Sequence, residues 1–87
     1  ECVPNEVGKA VANKVAVPVI GIGAGPDVDG QILVLYDALG ITQGRLPRFV
    51  KNFMDDSDGS GSLLEGCVRY VDAVKDRSYP APEHCFS

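Results

Sequence analysis

Pro18-Val-Ile-Gly-Ile-Gly-Ala-Gly25, followed by the acidic turn Asp27-Val-Asp29-Gly30, is the stretch on which the fold turns. It reads as an apolar strand whose C-terminal end opens into a glycine loop and then a helix start. In α/β barrels and open parallel sheets, that end of a strand is where ligands bind. Upstream, Glu1-Cys-Val-Pro4 has the form of another strand end leading into a helix. Two successive strand ends then face the same way, one carrying a carboxylate and the other a bare backbone.

Working outward, Pro4 to about Lys14 predicts a helix, because proline suits the first turn and Val7, Ala10 and Val11 recur at helical spacing. Val15 to Ile22 is a β-branched run that predicts a buried strand, with Pro18 tolerable only near its start. Asp29 is placed to cap a helix from about Gly30 to Leu39, with Gly40 to end it, although the all-apolar Ile32-Leu-Val-Leu35 also suits a strand. Arg48 to Phe53 is the next predicted strand, and Asp55 to Ser62 a polar loop. Ser62 with Glu65 then forms a capping box, and Leu63, Leu64, Cys67, Val68, Val71 and Val74 fall on one face of a final helix. Pro80 and Pro82 close the chain into an irregular tail. Strand and helix alternate, which implies an α/β fold with a parallel sheet. A complete (β/α)8 barrel needs about 250 residues, so these 87 read as roughly its last third.

Composition excludes some functions. The chain is 45% hydrophobic and 23% charged, with a net charge of −4. Nucleic-acid and anionic-membrane surfaces need clustered Lys and Arg, and the eight here are scattered. Three cysteines, Cys2, Cys67 and Cys85, form no CxxC pair and fit reduced thiols in a cytosol-like compartment. No apolar stretch reaches the ~20 residues that span a bilayer.

The glycine run fails both registers of the dinucleotide fingerprint, since Pro26 or Val28 stands where the third glycine belongs. A phosphate loop fails as well, because no Lys-Ser/Thr pair follows. What remains is a glycine-lined strand end beside a ligand, or a tight turn with none. Asp56, Asp58, Ser60 and Gly61 imitate the start of a calcium loop, but Cys67 occupies the position that needs a bidentate Glu, so a solvated loop is expected. His84 is the only histidine and is read as having a structural or surface role. Glu1 is the candidate general base: a carboxylate at a strand's C-terminal end is open to partial desolvation, which raises its pKa toward the range useful for proton transfer.

Taken together, Glu1-Cys-Val-Pro4, Pro18 to Gly25, Asp29-Gly-Gln-Ile32, Asp37-Ala-Leu-Gly40, Phe49-Val-Lys-Asn-Phe53 and the tail Tyr79-Pro80 with Glu83-His84-Cys85-Phe86 closely resemble the C-terminal third of the ketopantoate hydroxymethyltransferase family. The resemblance covers essentially the whole chain. It implies a (β/α)8 TIM barrel in large homo-oligomers, commonly decamers, located in the cytoplasm. It also implies transfer of a one-carbon unit from 5,10-methylenetetrahydrofolate to α-ketoisovalerate, giving ketopantoate for pantothenate and coenzyme A. A divalent ion, normally Mg²⁺, would chelate the keto acid and stabilise its enolate. By the same resemblance Glu1 takes the role of proton acceptor, and Ile22 and Ile32 become apolar walls around the isopropyl group. Glycines 21, 23 and 25 would let the backbone approach the ligand. The family's metal ligands lie upstream of Glu1, so no metal ligand is expected within this chain, and Asp27 and Asp29 are not assigned that role. The missing N-terminal part of the barrel is then the first partner, and the isolated chain is expected to be inactive. A non-catalytic interaction module is the competing reading.

Overall fold

The computed structural model describes residues 1–54 and 62–86. Helix α1 spans Asn5–Lys14, strand β1 Ile20–Gly21, strand β2 Gly30–Gln31, helix α2 Leu35–Ala38 and helix α3 Leu63–Lys75, followed by a 3-10 turn at Pro82–His84. The sheet is parallel, with Ile20 opposite Gly30 and Gly21 opposite Gln31. The α/β class and the parallel ladder are as the sequence implies. The polar loop and the calcium-like residues Asp56, Asp58, Ser60 and Gly61 lie outside the described residues.

Helix α1 starts one residue later than the sequence suggests, with Pro4 at its N-cap. Glu6 in its first turn and Lys14 in its last complement the helix dipole. The strand expected over Val15 to Ile22 shrinks to two residues. The helix expected from Gly30 is replaced by β2 and the short α2, for a physical reason. The Oδ2 of Asp29, the presumed cap, accepts instead from the Val19 amide at 2.7 Å. The amides of Asp29 and Gly30 both turn to the Val19 carbonyl, at 2.9 and 3.3 Å. The segment is thus drawn into the ladder beside β1 and cannot begin a helix there.

Arg48 to Phe53 forms no strand. The Val50 amide closes a turn on the Pro47 carbonyl at 3.1 Å, and the Phe53 amide donates to Ala38 at the end of α2 at 2.8 Å. Phe49 and Phe53 both point inward, and Phe53 has no exposed surface. The main core consists of Ala38, Phe53, Ala73 and Tyr79, with Leu33, Tyr70 and Val74 against it. Phe53 meets Tyr70 and Tyr79 edge to face, with ring centroids 5.3 and 5.4 Å apart. Such pairs add about 0.5–1.5 kcal/mol beyond the area they bury.

Both long helices approach their neighbours through small residues. A Cβ on Gly66 of α3 would lie 2.6 Å from the Met54 sulfur and 3.0 Å from Leu39 Cδ2. A Cβ on Gly8 of α1 would lie 2.5 Å from the Ala24 carbonyl oxygen. The fully buried residues of α3 are therefore Gly66 and Ala73, and of the apolar Leu63-to-Val74 face Val74 packs against the core. Leu64 is 73% exposed, and Val68, Val71, Val7 and Val11 are exposed as well. Close backbone approach fixes the helix rotation, and the larger apolar side chains remain outside. Among the described residues no helix is long and apolar enough to cross a membrane.

Candidate active site

The site begins with three short segments lying abreast. The Cys2 amide donates to the Ile22 carbonyl at 3.0 Å and the Val3 amide to the Gly23 carbonyl at 3.1 Å. Residue numbers rise together on both sides, so Glu1–Val3 runs in the direction of β1. On the other side, the Ile32 amide donates to the Gly21 carbonyl at 2.9 Å. Carried one residue on, the β1–β2 register sets Ile22 opposite Ile32. Glu1, Ile22 and Ile32 are thus gathered at the same end of one parallel array. Ile22 is half-buried, while Glu1 and Ile32 are exposed.

Glu1 stands at the rim of a cleft of about 150 Å³ between α1 and β1, whose apolar lining includes Val3, Val7, Val11, Ile20 and Val28. The partial burial expected for its carboxylate is not found, because no part of the described chain closes over it.

The glycine turn departs from the expectation of backbone left open to a ligand. The space where a Cβ of Gly21 would sit is filled by Val28 and Ala24, at 3.0 and 3.2 Å. At Gly23, with φ +65°, it is filled by the Phe49 ring at 2.6 Å, and at Gly25, with φ +83°, by the Asn5 side chain. The positive φ values require glycine at both positions. These glycines serve close packing within the chain, and they let Glu1–Asn5 lie directly on the turn.

The acidic residues of the turn are engaged. Asp27 faces Arg77 at 3.6 Å, and the same guanidinium donates to the Pro26 carbonyl at 3.0 Å. Asp29 holds Val19, as described. Among the described residues no three His, Cys, Asp or Glu side chains stand close enough to hold a metal ion.

His84 is structural. Its Nδ1 accepts from the Ala81 amide at 3.0 Å and its ring packs on Tyr79 at 5.0 Å. Burial holds its pKa below the ordinary imidazole value; Glu83 opposes this and Lys51 adds to it. Burial also pushes the phenols of Tyr79 and Tyr70 up, so both remain donors. Tyr79 donates to the Phe49 carbonyl and Tyr70 to the Gln31 carbonyl at 3.0 Å. The three cysteines are free thiols. Phe49, Tyr79 and Phe86, which brace the segment behind Glu1, escaped sequence reasoning. In the sequence they stand only as aromatic members of the matching segments, which does not say what a ring packs against.

The described residues form a small α/β unit built on a parallel two-stranded ladder. Residues 1–82 match the family model described as ketopantoate hydroxymethyltransferase, and the chain belongs to that family. It is 58% identical over 86 residues to the 3-methyl-2-oxobutanoate hydroxymethyltransferase of Chromohalobacter salexigens, covering 99% of this chain and 32% of that protein. The enzymes of the same name from Alkalilimnicola ehrlichii and Marinobacter nauticus are each 54% identical over 86 residues, covering 99% of this chain and 30% and 31% of those proteins. The chain therefore spans about a third of the length of the curated relatives it matches.

Proposed function

We propose that this chain forms the C-terminal segment of a (β/α)8 barrel that transfers a hydroxymethyl group to 3-methyl-2-oxobutanoate, giving 2-dehydropantoate. Glu1 is the general base of the reaction. The observation that carries this reading is the gathering of Glu1, Ile22 and Ile32 at one end of the parallel array. Membership of the family supplies the substrate class. The exposed valines and leucines of α1 and α3 support a segment that packs against further structure.

In this reading the Glu1 carboxylate accepts the proton from C3 of the keto acid. The electron pair left behind delocalises into the adjacent carbonyl as an enolate, and the same carbon then bonds to the one-carbon unit of 5,10-methylenetetrahydrofolate. The bonds from that unit to the folate nitrogens break as tetrahydrofolate leaves with the proton, and water supplies the hydroxyl of the product. Ile22 and Ile32 flank the isopropyl group. Closure of the barrel over the exposed Glu1 would withdraw it from water and fit it to take a carbon-bound proton. Mg²⁺, when bound, would polarise the keto acid, held by residues outside this chain. Cytoplasmic location and a large homo-oligomer belong to the same proposal.

The test joins residues 1–87 to the upstream two-thirds of the Chromohalobacter salexigens relative and measures 2-dehydropantoate formation. The chimera is expected to turn over, and Glu1→Gln is expected to lower kcat by about a hundredfold or more, the scale of a general base, with Mg²⁺ binding nearly unchanged. Full activity of the Gln variant refutes the base, and loss of metal binding identifies Glu1 as a ligand.

A further inference from the structure

The Glu1–Asn5 segment is held from two sides, and one side chain touches both holders. On one side lies the glycine turn, whose Ile22 and Gly23 carbonyls accept from Cys2 and Val3. On the other lies the tail, where the Phe86 carbonyl accepts from the Asn5 amide at 3.0 Å and Phe86 forms a parallel bridge with Pro4. The Phe49 ring fills the space over Gly23, where even a methyl group would meet it at 2.6 Å. The same ring packs tilted against Phe86 at a centroid distance of 6.3 Å. Phe49 is buried, and its carbonyl accepts from the Tyr79 hydroxyl. Tyr79 is itself anchored in the main core.

We propose that Phe49, held through its carbonyl by Tyr79, is a positioning residue for Glu1, setting the distance between the glycine turn and the tail and so the place of the segment that carries the carboxylate. The proposal rests on the reading of Glu1 as general base. Phe49 acts through the Gly23 and Phe86 carbonyls, which accept from the Val3 and Asn5 amides. A base displaced by a fraction of an ångström loses rate while substrate binding is kept.

Two variants test it. Phe49→Leu leaves the site apolar but empties the wedge, and Tyr79→Phe removes only the hydroxyl that holds the Phe49 carbonyl. In the chimera, hydrogen exchange followed by mass spectrometry compares the peptide over residues 1–8 with one over α3. Exchange in the first is expected to rise about tenfold, the scale of one lost hydrogen bond, with α3 unchanged. In the chimera, kcat is expected to fall about tenfold on the same basis, with KM within twofold. In a Glu1→Gln background Phe49→Leu is expected to cost no further rate, because it acts only through that carboxylate.

Unchanged exchange at residues 1–8 overturns the proposal. So does an equal rise over α3, which would mean general loosening, or an additive loss in the double variant. A fully active Glu1→Gln variant fails the base reading instead; the exchange comparison then still reports whether Phe49 holds the segment.

Discussion

Gly8→Ala is expected to destabilise this protein, although replacing glycine by alanine inside a helix ordinarily does the opposite. Alanine's higher helix propensity offers at most about 1 kcal/mol. Against that, the new methyl would lie 2.5 Å from the Ala24 carbonyl oxygen, with Val28 Cγ1 at 3.3 Å and Ala24 Cβ at 3.4 Å. Carbon and carbonyl oxygen normally stay about 3.3 Å or more apart, so α1 must withdraw by roughly 0.8 Å. The obstacle is backbone in the glycine turn, which cannot swing aside as a flexible side chain would. A radial gap of about 0.5–1 Å forfeits a quarter to a half of the contact attraction around it, and overpacking of this kind costs about 1–3 kcal/mol. The net expectation is a loss of up to about 2 kcal/mol, read as a fall in Tm of about 4–8 °C for each kcal/mol in a chain of this size. Thermal unfolding followed by circular dichroism measures it. Ala10→Gly, on the exposed side of the same helix, is the control and should lose only the propensity difference of about 1 kcal/mol. A Gly8→Ala variant that melts higher than the parent refutes the close approach of α1 to the glycine turn.

Two further outcomes are expected. Arg69 donates from Nε to the Phe53 carbonyl at 2.7 Å, in a part-buried setting, and its ion pair with Glu65 is loose at 4.0 Å with Glu65 63% exposed. Denaturant titration should therefore find Arg69→Met costing about 1.5–3 kcal/mol and Glu65→Gln no more than about 0.5 kcal/mol; equal losses would mean that the ion pair matters more than the bond to Phe53. Because the folded pKa of His84 is lowered, the unfolded chain binds the proton more readily. Its contribution is then complete above about pH 6.5 and declines as the pH falls toward the folded value. An NMR titration of the imidazole that gives a pKa at or above the ordinary histidine value would contradict this.

Helices α1 and α3 and the parallel direction of the sheet were legible in the sequence, the helices through local signals and the sheet through the alternation of elements. Helix α1 has proline at its start, and at α3 the Ser62 hydroxyl accepts from the Glu65 amide at 3.2 Å as the capping pattern suggests. That the Glu1 strand end and the glycine turn face the same way was legible too, since strand ends lie together when strands are parallel, whereas the place of Ile32 opposite Ile22 was not, because its segment reads as a helix. Less came through where two partners competed for one group. Asp29 looked like a helix cap, but its carboxylate was claimed by Val19, ten residues upstream. Which residues of α3 are buried could not be read from its apolar face, because tight packing against Met54 and Leu39 selects Gly66 while Leu64 and Val68 stay exposed. The use of Gly21, Gly23 and Gly25 could not be read either: a glycine signals room, and only the fold says whether a ligand or Phe49 takes it.

The bridge between Pro4 and Phe86 also has a kinetic side. A contact between residues so far apart in sequence must meet the entropy of closing nearly the whole chain before it returns any energy, and such contacts slow folding. Helix α3 and the turn at Phe49 can form from near neighbours, whereas the tail reaches Asn5 only when everything between them is in place. The hold on Glu1 is thus expected to be among the last features acquired as the chain folds, leaving the carboxylate loosely placed until then. Pulse-labelling exchange that found the Asn5 amide protected before α3 would reverse that order.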